Sequence, residues 1–397
     1  MVVPIVRPDL GDAEAEAVAR VVRSGWVTQG PEVAAFEAEV AAAVGARHAV
    51  AVSNGTVALE LALRCLGVGR RPGDEVVTVS HSFIATANAV MTVGALPVFV
   101  DVEADNYGMD PRLVEAAITP RTAAVLCVHQ LGMPCDVLGI RAIADRHGIP
   151  VVEDAACAIG SETDVGRGGG DVRWERIGKP HGRVACFSFH PRKVVTTGDG
   201  GMLTTDDAEL AARLRLLRQH AMTVTGADRH DAKRVVFETF VEPAFNHRMT
   251  DLQAALGRPQ IARLAASIAA RRRLADVYAK ALDGHPVLAA PRERAGCRGN
   301  WQSYPTTLRD DAPLSQRDVL QWLLDRGVSA RRGVANAHQE PAYAQHPGAR
   351  FPLPVSERAR DRTVMLPLYH GMTPAEQDTV LGALGALTRS CGGRRDP

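Results

Sequence analysis

The feature that most constrains the fold of this 397-residue chain is an alternation of short, continuously apolar runs with helix-forming stretches. HAVAV at 48–52, EVVTV at 75–79, PVFVDV at 97–102, AAVLCVH at 123–129, PVVEDA at 150–155 and VACFSF at 184–189 read as strands, and GMLTT at 201–205 follows closely. Apolar residues that run on, rather than alternate with polar ones, belong to strands covered on both faces. Strands of this kind separated by helices predict an α/β open sheet with helices on both sides. Ligands in such sheets bind at the carboxyl ends of the strands.

Residues 12–24 and 32–44 read as helices, the second with Val33, Phe36, Val40 and Val44 on one face. Residues 206–219 read as another. The longest helical stretch runs from Thr250 to Leu282 and contains Pro259, which is expected to kink or split it. The domain division expected is a large α/β domain at 1–250, connecting helix at 251–284 and a small α+β domain at 285–397. In the last, WQSYPTTL and VSARR read as strands, and SQRDVLQWLLDRG and TPAEQDTVLGALGAL as helices. One stretch, 161–182, is rich in glycine and charge. It reads either as a solvated surface loop or as a mobile lid beside the site.

Charge narrows the function classes. Lys+Arg is 46 and Asp+Glu 45, a net charge of +1. That gives neither the basic field of a nucleic-acid protein nor a polybasic membrane patch. No apolar run approaches the roughly 18 residues of a membrane helix. MVVPIVRPDLGD lacks the basic head and apolar stretch of a secretory signal. Seven cysteines without a CxxC pair disfavour a disulfide framework or a zinc ribbon, so no metal is expected and the cytoplasm is the expected compartment.

Only four residues are lysine: Lys179, Lys193, Lys233 and Lys280. Lys193 lies just past the strand VACFSF, where ligands bind, while the other three sit among charges. A partly desolvated lysine can form a Schiff base with an aldehyde; the plain alternative is a surface lysine. Asp154 ends the apolar strand PVVEDA, where a charge is costly unless paired. It is either an N-cap for AACA or a carboxylate aimed at a cationic ring nitrogen. Ser53-Asn54-Gly55-Thr56 turns a strand into a helix, either as an ordinary capped turn or as an anion cradle. Phe83 follows EVVTV, as core packing or as a ring for stacking on a flat cofactor. Together, an anion turn, an aromatic, an acid and a lysine at four strand ends are the set that pyridoxal 5'-phosphate (PLP) chemistry requires.

These residues sit in stretches that resemble the DegT/StrS family of PLP-dependent sugar aminotransferases. The matching segments are SGWVTQGPEVAAFE, SNGTVALELAL, GDEVVTVSHSFIATANAV, PVFVDV, VVEDAACAIGS, CFSFHPRKVVTTGDGGML, FNHRMTDLQAALG and LPLYHGMTPAEQ. The resemblance implies the aspartate-aminotransferase fold (fold type I). It implies Lys193 as the Schiff-base lysine, Asp154 at the pyridine nitrogen, Phe83 on the ring, and Asn54, Gly55, Thr56 and Ser188 around the phosphate. It also implies a homodimer, with Asn246 reaching the phosphate of the neighbouring subunit. Three positions depart from the family pattern: Cys157 replaces a glutamine or histidine beside the phenolic oxygen, Asp199 a glutamate and His247 a tyrosine. A thiol is a weak hydrogen-bond partner, so the Cys157 contact is the one altered. A dehydratase branch of the family carries histidine in place of the lysine; Lys193 therefore favours transamination.

The implied reaction takes an amino group from L-glutamate or L-glutamine, leaves pyridoxamine phosphate, and passes the group to a nucleotide-linked 3-keto or 4-keto deoxysugar, with ping-pong kinetics. A keto cyclitol acceptor is the second reading, and a PLP-binding regulatory protein without turnover the third. Trp26, Thr28, Arg332 and His338 are the candidate substrate contacts.

Overall fold

The computed structural model describes residues 2–166, 171–224 and 233–392, without the side chains of 390–392. Nine strands come from residues 48–205: β1 (His48–Val52), β2 (Glu75–Val79), β3 (Leu96–Val100), β4 (Thr122–Val128), β5 (Val151–Asp154), β6 (Glu162–Asp164), β7 (Trp174–Arg176), β8 (Val184–Ser188) and β9 (Gly201–Thr205). Seven of them form one sheet in the order β1-β9-β8-β5-β4-β2-β3. β9 alone runs against the other six, pairing antiparallel with β1 and with β8. This is the mixed sheet of a fold type I α/β protein.

Both faces of the sheet are covered, as the continuous apolar runs require. Val50 and Val52 of β1 pack on the same side as Val184 and Cys186 of β8, Leu126 of β4 and Val152 of β5. That side is closed by α3 (Gly55–Cys65) through Ala58, Leu61 and Ala62, and by α7 (Ala208–Leu217) through Leu210 and Leu214. Ala49, Ala51, Ala185 and Phe187 face the other way, onto Phe36 and Val40 of α2 (Pro31–Val44). The remaining helices of this half are α1 (Asp12–Ser24), α4 (Ala85–Thr92), α5 (Pro111–Ala117) and α6 (Val137–Arg146).

The expected 250–282 helix is two helices, α8 (Asp251–Ala262) and α9 (Leu264–Ala281). The break falls at Arg263 rather than at Pro259, which α8 carries in its interior. A proline removes one hydrogen bond and strains the turn before it, but a packed helix continues past it. Arg263 is held at the break by an ion pair to Glu14 of α1.

The C-terminal half forms a second sheet, in the order β10-β12-β14-β13, from β10 (Leu288–Ala289), β12 (Tyr304–Leu308), β13 (Arg331–Arg332) and β14 (Thr363–Leu366). Helices α10 (Gln316–Asp325), α11 (Pro354–Arg362) and α12 (Pro374–Gly392) accompany it. The chain start belongs to this layer, since Val3 pairs with Val328 and packs among Tyr278, Val364 and Leu366. That pairing occupies the first residue of VSARR, and only Arg331–Arg332 joins the sheet.

The stretch 161–182 is tied down where it is described. β6 pairs with β7 and with β11 (Cys297–Arg298), and the Arg298 guanidinium lies 4.0 Å over the Trp174 ring. Residues 167–170, at the centre of the lid expectation, lie outside the described residues.

At the amino ends of the strands, buried Glu75 joins the two halves. It accepts from Thr119 Oγ1 at 2.7 Å, Arg121 Nη2 at 2.6 Å and Arg350 Nη2 at 2.7 Å. Burial pushes its carboxyl up, but the hydrogen bonds from Arg350, Thr119 and Arg121 outweigh that and hold it at about 2. A pKa lowered by folding gives stability that is present above the unfolded value and lost as pH falls toward the folded one. Glu75→Gln should therefore cost on the order of 2 kcal/mol at pH 6. Denaturant unfolding at stepped pH should show the gap between wild type and variant closing between pH about 4.5 and about 2.

Candidate active site

The carboxyl ends of β1, β2, β5 and β8 bring the four expected features to one edge of the sheet. β5 and β8 are neighbours in parallel register, Asp154 opposite Cys186. Asp154 is 5% exposed. Its Oδ2 accepts from Thr86 Oγ1 at 2.8 Å, and Thr86 in turn receives Ser82 Oγ at 2.7 Å. Its Oδ1 accepts from the Ala156 N–H at 3.2 Å. Burial raises the Asp154 pKa, and the Thr86 and Ala156 hydrogen bonds and the nearby Lys193 charge only partly offset that. AACA forms turns rather than a helix, so the N-cap alternative for Asp154 fails.

Lys193 follows β8 in a turn closed by its own N–H on the His190 carbonyl at 2.8 Å. Its Nζ lies 3.0 Å from Cys157 Sγ, so the thiol that departs from the family pattern touches the lysine. Phe83, four residues past the end of β2, is 64% exposed, which removes the core-packing alternative and leaves its ring open.

The turn after β1 is capped by Asn54, whose Oδ1 accepts from the Val57 N–H at 3.0 Å. Gly55 opens α3 and is pressed against β8: a Cβ there would sit 2.7 Å from Ser188 Cβ. Gly201 on β9 approaches from behind, and a Cβ on it would run into the Asn54 carbonyl. The two glycines let a helix N-terminus dock directly on the strand ends, with the Ser188 hydroxyl beside its first turn. That arrangement suits a phosphate, which helix N–H groups and the helix dipole favour. Thr56 is exposed on the same turn.

Sequence reasoning did not find the strap that crosses from the C-terminal half. Buried Asn300 donates Nδ2 to the Cys157 carbonyl at 2.8 Å and the Ile159 carbonyl at 2.9 Å. Gln302 Nε2 reaches the Arg192 carbonyl at 3.1 Å. The strap thus grips the residues on either side of the Cys157–Lys193 contact. Fully buried Arg271 of α9 holds the strap through the Trp301 and Gln302 carbonyls, at 3.1 and 3.3 Å. Behind Asp154, the opposite face of β5 carries buried Glu153, which accepts from His129 Nε2 at 3.0 Å and from the His181 and Gly182 N–H groups at 2.7 Å each. Thr86 had a legible signal, lying three residues past Phe83 on the same strand exit; the strap had none.

The remaining candidates are placed less centrally. Asn246 is exposed and pairs by its backbone with Gln219, while the next carbonyl, of His247, receives the Ser53 N–H at 2.8 Å. Trp26 donates its indole N–H to the Gln29 carbonyl at 3.1 Å. The Thr28 carbonyl receives the Asp251 N–H at 3.0 Å, which ties SGWVTQGP to α8. Arg332 is exposed on β13. His338 docks on the end of β2, with Nδ1 2.6 Å from Ser80 Oγ and Nε2 3.3 Å from Glu357. The hydrogen bonds of Trp26, Thr28 and His338 described above go to groups other than Lys193 and Asp154. Among the described residues, no cluster of three or more His, Cys, Asp or Glu is placed to hold a metal ion, and no helix is long and apolar enough to cross a membrane.

An amine, a buried carboxylate, an open aromatic face and a glycine-lined helix N-terminus fit PLP group by group. Comparison with known proteins agrees. The aminotransferase TlmJ from Streptoalloteichus hindustanus is 33% identical, with 99% of this chain and 100% of that one covered and a TM-score of 0.87. DesV from S. venezuelae, solved in complex with a ketimine intermediate, is 35% identical over 100% of both chains, with a TM-score of 0.85. Spr1654 from Streptococcus pneumoniae in its PMP form is 25% identical, covering 97% of this chain and 98% of that one, with a TM-score of 0.87. A profile of the DegT/DnrJ/EryC1/StrS aminotransferase family matches residues 8–385, and the chain belongs to that family of PLP-dependent enzymes.

Proposed function

We propose that this aminotransferase moves an amino group from L-glutamate or L-glutamine to a nucleotide-linked 3-keto or 4-keto deoxysugar, with Lys193 and Asp154 as its catalytic pair. The observation that carries the reading is the buried Asp154 carboxylate at the end of β5 and the Lys193 amine in the turn that follows the neighbouring parallel strand β8, close enough for their charges to interact. The sugar acceptor rests on the sequence resemblance to sugar aminotransferases.

PLP, when bound, supplies an electron sink for the charge left on the substrate carbon. Lys193 Nζ takes the proton from the α-carbon of the donor and returns one to the carbon that receives the amine. Asp154 holds a proton at the ring nitrogen, a role suited to a carboxylate buried away from water and already supported by Thr86 and Ala156. Cys157 Sγ keeps the freed amine within reach. Phe83 covers the ring, and Asn54, Gly55, Thr56 and Ser188 hold the phosphate. Asn246 of a second copy completes that site in a homodimer. Three rings within nine positions of Asn246 in the sequence are exposed, Phe237 at 86%, Phe240 at 61% and Phe245 at 55%, and their burial against a second copy would favour the dimer. Trp26, Thr28, Arg332 and His338 remain the proposed acceptor contacts.

The test is turnover with each donor against nucleotide-linked 3-keto and 4-keto deoxysugars and against a keto cyclitol. Activity with the cyclitol and none with any nucleotide sugar would replace the acceptor assigned here. Turnover with neither acceptor, and no half-reaction with either amino acid, would favour a regulatory PLP protein.

Lys193→Ala should lower turnover by about 1000-fold or more, since a lysine of this kind is both anchor and proton carrier. A near wild-type rate would remove Lys193 from the reaction. Gly201→Ala should lower stability by about 1–3 kcal/mol, because the obstacle is backbone that cannot move aside, and should weaken PLP binding by displacing α3. Thermal melting and PLP titration of the variant check both.

A further inference from the structure

Lys193 and Cys157 are held face to face from several sides. The two atoms are 3.0 Å apart. Asn300 fixes the Cys157 backbone, and Gln302 fixes the residue before Lys193. Among the described residues the lysine amine has no carboxylate within ion-pair distance, and none of the six cysteines whose side chains are described is in a disulfide. A sulfenic acid formed on Cys157 would therefore meet an amine before it met a thiol. We infer that Cys157 and Lys193 form an oxidative modification site, at which a hydroperoxide drives the two side chains into a sulfenamide cross-link.

The chemistry balances in two steps. The Cys157 sulfur attacks one peroxide oxygen; an S–O bond forms, the O–O bond breaks, and the sulfur is oxidised to a sulfenic acid while the other oxygen takes the thiol proton and leaves, as water from hydrogen peroxide or as an alcohol from an organic hydroperoxide. The Lys193 nitrogen then attacks that sulfur; an N–S bond forms, the S–O bond breaks, and hydroxide leaves with a proton from the nitrogen as water. Overall the pair loses two hydrogens. An external thiol reverses the link by attacking the sulfur and releasing the amine, and a second thiol then frees Cys157.

Site selectivity follows from the surroundings. Cys127, Cys135, Cys186 and Cys297 are buried. Cys65 is partly exposed, but burial pushes its thiol up to about 12. Cys157 is the partly exposed cysteine with an amine on its sulfur. The link also competes with the cofactor for one nitrogen: Nζ can join PLP or sulfur, not both. Oxidation should therefore trap the enzyme when the lysine is free, as after reaction with the amino donor, and spare the form in which Lys193 carries the cofactor. This timing rests on the function proposed above; the cross-link itself rests only on the geometry.

The experiment treats the holoenzyme with hydrogen peroxide in three forms: with PLP alone, after addition of L-glutamate, and after removal of the cofactor. Non-reducing digestion and mass spectrometry then follow the peptides that contain residues 157 and 193. The expected result is a linked pair, lighter by two hydrogens, in the glutamate-treated and cofactor-free forms and absent from the PLP form. Dithiothreitol should restore the separate peptides and PLP uptake. Cys157→Ser should abolish the link and Cys65→Ser should leave it. Oxidation of Cys157 to sulfinic acid in the cofactor-free enzyme, with no linked pair, would overturn the proposal. A linked pair that leaves PLP uptake intact would uphold the cross-link and instead overturn the role given to Lys193.

Discussion

A carboxylate kept at the dry end of a buried strand sets the terms for the whole site. Asp154 closes β5 almost out of contact with solvent, where an ionised acid is costly unless hydrogen-bonded or paired. The fold meets that cost locally through Thr86, backed by Ser82, and through the Ala156 N–H. It does not fully offset it, and the Asp154 pKa stays raised. The balance left over is a demand for a cation, which Lys193 on the adjacent strand exit meets in part. A protonated pyridine ring would meet the rest. The acid is thus a standing preference for a charged ring.

The second constraint is how closely backbone must approach backbone. A phosphate-sized cradle at the start of α3 exists because Gly55 meets Ser188 and Gly201 meets Asn54 without intervening side chains. The third is the strap. Arg271, Asn300 and Gln302 form a continuous chain of hydrogen bonds from α9 to the backbone at Cys157 and Arg192. The C-terminal half therefore fixes the distance between a lysine and a cysteine that are 36 positions apart in sequence. The buried guanidinium of Arg271 is directed at carbonyls, and its burial lowers its pKa to about 10. A group desolvated to that degree is a rigid fastener rather than a surface charge.

What could be read from the sequence was what has a local signature. Strands buried on both faces announce themselves as unbroken apolar runs, so all seven strands of the large sheet were legible. Lys193, Asp154 and Phe83 were legible because each follows such a run, where polar or aromatic residues need a reason to be. The strap was not, because Asn300 and Gln302 act through contacts more than 100 positions away and sit in an irregular segment with Trp301 at φ 52°. That same kink shortens the expected strand WQSYPTTL to Tyr304–Leu308. Helix α11 and strand β14 were missed for the opposite reason. PVSERARDR is polar almost throughout, and a four-residue strand behind it carries too little pattern to register. The hairpin of β6 and β7 hid among glycines and charges because its stability comes from β11 and from Arg298 on Trp174, not from its own composition.

The pairing of Lys193 with Asp154 is tested most simply by the visible absorption spectrum of the purified protein with PLP, before and after addition of L-glutamate or L-glutamine. If the Lys193 amine and the Asp154 carboxylate form one catalytic pair, the protein binds PLP with a yellow band that bleaches to the pyridoxamine form when the donor is added. A yellow band indifferent to both amino acids would contradict the donor half of the account. No band at all would contradict the assignment of this strand edge as the cofactor site.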